Sequence, residues 1–284
     1  MGQLARRSLA EEGWTFLMFP LKTTALPSSA EGLERLLNES VRRVFDVEVD
    51  PVTIRDASYP SLAEISITLD GASLRPDPPR PQLVSGKTSP ALEAGRLTVR
   101  ASALSIGPAT VDLALFARAV HLGQGRNSND EIVLSLDDAA EGKIEISAPL
   151  ADLEQVIAKI AKDQAGKHGV AIETVQLTAR TTSPRSLEAE VRLKARKLFL
   201  SASIRITGQL DLDSELNAKI SCLECKGDGA IAAIACGTLD PHLRKLDGRE
   251  FPLMSLPLGE IRLRDVRIGV SDKLSVTAEF GSAV

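Results

Sequence analysis

Apolar positions recur at three- and four-residue steps in a few stretches of the chain and at two-residue steps through most of the remainder. Leu150, Leu153, Val156, Ile157 and Ile160 fall on one stripe, with Asp152, Lys159, Lys162 and Asp163 off it, which predicts an amphipathic helix over Pro149 to His168. Its ends carry matching signals. Ser147 and Pro149 stand where a cap and a first-turn proline belong, Asp152 and Glu154 follow, and Lys162, Lys167 and His168 precede Gly169. A second helical stretch runs from Ser28 to Asp46, with Leu33, Leu36, Leu37, Val41, Val44 and Phe45 on its stripe and a capping-box spacing of Ser28 with Glu31. A third, Ala230 to Leu246, carries Ile231, Ile234, Leu239, Leu243 and Leu246, with a restart at Asp240 and Pro241.

The two-residue period is clearest after Gly169. Ala189, Val191, Leu193 and Ala195 alternate with Glu188, Glu190, Arg192, Lys194 and Arg196, as in an antiparallel strand with one face buried. Leu200, Ala202, Ile204 and Ile206 predict the next strand, and Leu216, Ala218 and Ile220 another. In the first half, strands are expected at Val52 to Ser58, at Ala63 to Asp70 (Ile65, Ile67 and Leu69 inward), at Arg96 to Ala103 and at Thr110 to Val120. Glu131 to Ala148 reads as two short strands, after a polar loop from Gly123 to Asp130. The prolines between residues 74 and 92 mark a long surface loop, and Trp14, Phe16, Leu17 and Phe19 suit an added edge strand.

This order divides the chain into an irregular lead-in (1–27), a first helix-plus-sheet unit (28–148) and a second unit (149–284) with an extra helix near 230–246. LEAGRLTVRASALSIGPATVDLALF, ending at Phe116, and LPLGEIRLRDVRIGVSDKLSVTAEF, ending at Phe280, match in length, turn position and apolar pattern. Each is expected to be a hairpin closing one half of a twofold repeat. The fold class is therefore α+β: two pseudo-repeated units, each a long amphipathic helix packed in a curved, mainly antiparallel β-sheet.

Composition narrows the function. The 284 residues are 43% apolar but only 3% aromatic, which leaves few rings for stacking bases. A net charge of -4 argues against binding along a nucleic-acid backbone. Arg6 and Arg7 precede a short apolar segment that Pro20 and Lys22 interrupt, a poor signal peptide, and no run approaches the roughly 20 apolar residues that span a bilayer. Three cysteines, an odd number, fit a reducing compartment, so a cytoplasmic location is expected.

Candidate chemistry is thin. Cys222, Cys225, Cys236 and His242 have the residue types of a Cys3His zinc site. Cys222 and Cys225 end a strand, however, while Cys236 sits on a helix, and small buried hydrophobes is the better reading. His121 and His168 lie at a strand end and a helix end. Asp137, Asp138 and Asp265 lie at turns or at a break in strand parity, with no sign of an apolar setting facing a second carboxylate. KGDGA at 226–230 lacks the ending of a phosphate-binding loop and reads as a tight turn. No catalytic residue, metal site or cofactor is assigned. Arg192, Lys194, Arg196, Lys197 and Arg205, with Arg262, Arg264 and Arg267, form an outward basic row: a solvated strand face, or a surface for transient contact with an anionic membrane through Arg192, Lys194 and Arg196.

The capped helices at Ser28 to Asp46 and Pro149 to His168, the alternating run SLEAEVRLKARKLFLSASIRITGQLDL, the late helix before EFPLMSLPLGEIRLRDVRIGV and the twofold pattern together resemble the tubular lipid-binding superfamily. That group contains bactericidal/permeability-increasing protein and the synaptotagmin-like mitochondrial lipid-binding domains. The resemblance covers most of residues 28 to 280 and implies a non-catalytic binder or carrier whose ligand is a lipid or fatty-acyl chain held between helix and sheet. Ile65, Ile67, Leu69, Val156, Ile160, Val191, Leu193, Ile204 and Ile206 are the expected lining. A helix of about 18 residues is roughly 27 Å long, enough to run beside an acyl chain, and burying some 16 methylenes contributes about 13 kcal/mol before the cost of immobilisation. The alternatives are an interaction module in which these residues close a filled core, and an enzyme on a double hotdog-like fold. The enzyme would need a carboxylate or histidine inside the groove, where the inner positions are almost all aliphatic.

Overall fold

The computed structural model describes residues 18–79, 88–167, 169–197, 200–253 and 261–282. It is an α+β chain, mostly strand, with a curved sheet that does not close. The elements are β1 (Met18–Pro20), α1 (Ala30–Val44), β2 (Phe45–Asp46), β3 (Val52–Ser58), β4 (Ser61–Thr68), β5 (Ser73–Leu74), β6 (Ser89–Ile106), β7 (Ala109–Arg126) and β8 (Ile132–Pro149). After them come α2 (Leu150–Gly166), β9 (Ala171–Ser183), β10 (Ser186–Lys197), β11 (Leu200–Leu212), β12 (Asn217–Asp228), α3 (Ala230–Leu246), β13 (Glu250–Pro252), β14 (Ile261–Val270) and β15 (Lys273–Ser282). Trp14, Phe16, Leu17 and His168 lie outside the described residues, as do residues 80–87 of the proline-rich loop.

One sheet has the order β14-β15-β8-β7-β6-β4-β3, with β4 and β6 parallel. Its third strand, β8, is a single 18-residue strand where two short ones are expected. The unbroken strand is explained by its neighbours: β7 pairs along nearly all of it, while the other edge is shared by β1 at residues 133–135 and β15 at 142–149. The two matched hairpins therefore flank one strand instead of closing separate halves. Leu113 and Val276 both pair with Ile146, and Leu115 and Ala278 both pair with Ile144. Gly142 of β8 makes room for Phe280, whose ring a Cβ there would meet at 2.2 Å. The second sheet has the order β13-β12-β11-β10-β9. Residues 261–282 thus return to the first sheet, and a boundary at residue 149 does not coincide with the division between sheets.

Each helix covers an edge strand, and each uses a carboxylate to do so. The α1 helix starts at Ser29, one residue later than the capping-box spacing suggests, with the Ser29 hydroxyl accepting from Gly32 N at 3.2 Å. It lies beside β3, the sheet's last strand: Glu34 Oε2 accepts from Ile54 N at 2.6 Å, and buried Asn38 bonds both Val52 N (2.8 Å) and Val52 O (3.0 Å). Similarly, α2 lies beside edge strand β9, where Glu154 Oε2 accepts from Leu177 N at 2.8 Å. Past its short pairing with β13, β12 is met by the end of α3, with Asp247 Oδ1 accepting from Leu223 N at 3.0 Å. Edge N–H groups that would otherwise recruit another strand are satisfied this way.

Three apolar clusters result. The largest closes under α1: Leu33, Leu37 and Val41 pack with Ile65, Ile67, Leu69, Leu97, Leu115 and Leu134, all 7% exposed or less. A second lies under α2 and α3, and a third joins Leu212, Leu216 and Ala218 of the second sheet to Val266 and Ile268 of β14. Polar clamps reinforce that junction. Arg185, in the β9–β10 turn, donates to Asp265 Oδ1 (2.7 Å) and Arg267 to Asp265 Oδ2 (2.6 Å), which together hold the Asp265 carboxyl below the usual carboxylate range. Thr110 donates to Asp152 Oδ2 at the start of α2 through its hydroxyl (2.5 Å) and backbone N–H (2.8 Å), with the same effect on that carboxyl.

Candidate functional site

The site is the inner face of the second sheet. On β10 the side chains of Leu187, Ala189, Val191, Leu193 and Ala195 share one face by the two-residue period. Cross-strand register puts Val175 and Ile204 beside Leu193, Leu177 and Ile206 beside Val191, and Ala179 and Gly208 beside Ala189. The face passes from the junction cluster, which includes Leu187 and Leu210, to the cluster beneath the helices, which includes Val191, Leu193 and Ile206.

The helices reach that second cluster from the two edges of the sheet. From α2 come Ile157, Ala158 and Ala161; from α3 come Ala232, Ala235 and Cys236. Small residues allow the close approach of α3: a Cβ at Gly227 would stand 2.6 Å from both the Ala232 side chain and the Ser203 carbonyl. The cover is incomplete. No residue of α2 is fully buried, whereas α1 buries Leu33, Leu37 and Val41. At 100° per residue, Leu153, Val156 and Ile160 stand roughly a quarter turn or more away from the stripe that meets the sheet, and Ile160 is 57% exposed. Val191, Ile206 and Leu177 are only half-buried although they lie on the inner face. We call this half-covered aliphatic face, with the two helices that border it, the trough.

Of the nine expected lining residues, the structure groups Val191, Leu193, Ile204 and Ile206 beneath Ile157, Ala158 and Ala161 of α2, whereas Val156 and Ile160 are turned away from the side of the helix that meets the sheet. Ile65, Ile67 and Leu69 are elsewhere, 2 to 5% exposed in the core under α1, and take no part in this trough. Val175 and Leu177 were missed, although the alternation Val175, Leu177, Ala179 marks β9 as plainly as its neighbours are marked. Ala232 and Ala235 replace Ile234 on the sheet side of α3, since Ile234 points outward at 71% exposure.

The cysteine expectation is corrected. Cys225 and Cys236 form a disulfide between β12 and α3, Cα atoms 5.4 Å apart, and Cys222 is exposed. The spacing of Cys222 with Cys225 drew attention to the wrong pair, because Cys225 packs in the cluster beneath α3 whereas Cys222, at a bulge of β12, is exposed. Two ligands of the conceivable zinc site are thereby consumed, and the odd cysteine count loses its force as an argument for a reducing compartment. Among the described residues no group of three or more His, Cys, Asp or Glu side chains is placed to hold a metal ion, and no helix is long and apolar enough to cross a membrane.

The polar candidates fall into structural roles. Ser135 donates to Asp137, Asp138 accepts from Ala139 N, and His121 stands 3.9 Å from Asp138 and 4.0 Å from Glu93. The basic row on the outer face is largely neutralised: Arg192 and Arg205 share Glu190, and Arg196 pairs with Glu173 at 3.1 Å. An open polar concavity of about 480 Å³ lies on that outer face between Arg180, Glu188, Glu190 and Arg192. Its arginines pair with its own glutamates, so no free charge remains to orient a ligand. The aliphatic trough is the stronger candidate because, among the described residues, α2 and the inner-face side chains Leu177, Val191 and Ile206 are left only half-buried. Comparison with family models, with curated proteins and with solved structures found no match to this chain.

Proposed function

We propose that the protein binds a lipid or other long apolar chain, without catalysis, in the trough between α2, α3 and the inner face of β9 to β12. The observation that carries this reading is the incomplete burial of a long amphipathic helix over an aliphatic sheet: α2 buries no residue fully, and Val191 and Ile206 beneath it stay half-open. Contiguous apolar surface of this kind costs free energy in water and marks a place where apolar matter binds. The trough is lined by branched aliphatic side chains and alanines, suited to methylene chains and without the convergent polar groups that fix a polar substrate.

The arrangement is compatible with a tubular lipid-binding architecture, in which α1 with β3 and α2 with β9 are equivalent units. Shared features support it: each helix precedes the edge strand that it covers, and each seals that strand with a glutamate, Glu34 or Glu154. On this reading the first unit is filled by its own core and the second holds the ligand. Titration with a pyrene-labelled fatty acid tests the proposal. Wild-type protein should take up the probe saturably, and Val191→Lys or Ile206→Lys should weaken uptake at least about tenfold, since each puts a charge against the buried chain. No uptake by wild type, or equal uptake by both variants, would sink the reading.

A further inference from the structure

The strands of the second sheet have two unlike ends. At one, the β9–β10 turn is fixed to β14 by Arg185, Asp265 and the bond from Ile268 N to Pro184 O (2.7 Å). By register, the other end gathers the start of β9 (Ala171 opposite Arg196), the end of β10, the start of β11 and the end of β12 (Asp228 opposite Ser203). The last turn of α2 and the first turn of α3 adjoin these strand ends in the chain.

Two properties coincide at this end. From Ala230 to Leu239, α3 has no charged side chain. Ala232, Ala235 and Cys236 pack on the sheet, yet Ala230, Ala233, Ile234 and Gly237 on the outward side are exposed as well, Ile234 by 71%. A surface helix ordinarily has a polar outer face, so this one has a second face to cover. The lysines supply the other property. Lys159 and Lys162 of α2 and Lys194 of β10 are exposed and make no ion pair among the described residues, in contrast to the paired Arg192, Arg196 and Arg205.

We propose that this end docks on an anionic phospholipid bilayer, with the Ala233, Ile234 and Gly237 side of α3 entering the headgroup boundary and Lys159, Lys162 and Lys194 meeting lipid charge. An apolar helix side flanked by unpaired ammonium groups on long stems complements an anionic interface, which offers diffuse negative charge above hydrocarbon. A protein partner read by directed ion pairs would draw on the planar, bidentate donors of arginine, which here are already engaged. The membrane contact thus falls on the unpaired lysines at this end, Lys194 of the strand face among them, and not on the paired arginines Arg192 and Arg196. It builds on the trough reading: both bounding helices surface here, so an acyl chain leaving the bilayer enters the trough without crossing water.

The test is flotation of the full chain with phosphatidylcholine vesicles that do or do not contain phosphatidylserine. Wild type should float with the anionic vesicles only, and so should the control Val49→Asp, which changes an exposed residue remote from this end. Ile234→Asp should abolish flotation, and the double change Lys159→Glu and Lys162→Glu should weaken it about fivefold for each lysine. Circular dichroism confirms that each variant is folded. Docking is overturned if wild type does not float, if it floats equally with neutral vesicles, or if Ile234→Asp floats like wild type. It is also overturned if Ile234→Asp changes only the oligomeric state seen by light scattering, since a second copy then covers the helix. Fatty-acid uptake on the same samples separates the two claims: uptake retained with flotation lost is expected of Ile234→Asp, and flotation without uptake by wild type defeats the trough alone.

Discussion

Polar clamps between residues distant in the chain reinforce the apolar clusters, and Asp265 is the most informative of them. Arg185 and Arg267 depress its folded-state pKa, so the carboxylate's contribution is complete above the unfolded value of about 3.9 and is lost as pH falls through the lower folded value. Asp265→Asn should therefore lower stability at neutral pH by about 1 kcal/mol, and the gap to wild type in urea unfolding should close under acid conditions. A gap independent of pH would show that the clamp contributes nothing through its charge. Asp265 was visible in the sequence as a break in strand parity between Arg264 and Val266, but its partner, 80 residues away, was not. The same limit hid Asn38, Glu34 and Glu154. Each looks like the polar side of a helix, and only the fold reveals that it satisfies the backbone of an edge strand.

Elements were legible where a period was sustained. All three helices, the hairpins β6–β7 and β14–β15, and strands β3, β4, β10, β11 and β12 follow from spacing, because one buried face imposes it. Strand length was less legible: β8 continues through Asp137 to Gly142, where polar residues and glycine mimic a turn, because neighbours on both sides supply hydrogen bonds that the local sequence does not announce. The helices should differ in stability in the order of their burial. Amide exchange in α2, which buries nothing fully, should be much faster than in α1, and a bound fatty acid should slow α2 selectively. Equal protection of the two helices without ligand would contradict the open trough. For α3 the disulfide adds a covalent tether to the packing of Ala232 and Ala235 on the sheet. With a sequence separation of 11 between its cysteines, the closed loop is worth about 3 kcal/mol in chain entropy, so Cys225→Ser with Cys236→Ser should lower the unfolding free energy by that order. A reductant should shift wild type toward the double variant and leave the variant itself unchanged.

At the scale of the whole molecule, one body has a closed core and the other an open face. The first sheet packs against α1 around Ile65, Ile67 and Leu69, which are buried in the core of that part of the chain. The second sheet presents the same kind of alternating aliphatic strand to helices that do not close over it. Sequence periodicity does not distinguish these cases, since Ile67 and Val191 occupy equivalent positions in their strands and differ only in what the fold places above them. That Val270 is followed by a strand of the first sheet, while β9 to β13 stand apart, likewise depends on which edge of β8 remains unpaired after β7 has formed. The central claim is that the open face is a ligand site, and mass spectrometry of an organic-solvent extract of the purified full chain tests it most directly. The account predicts an acyl lipid recovered at a fixed ratio to protein and diminished in Val191→Lys; an extract without lipid, from protein that also fails to take up added fatty acid, would contradict it.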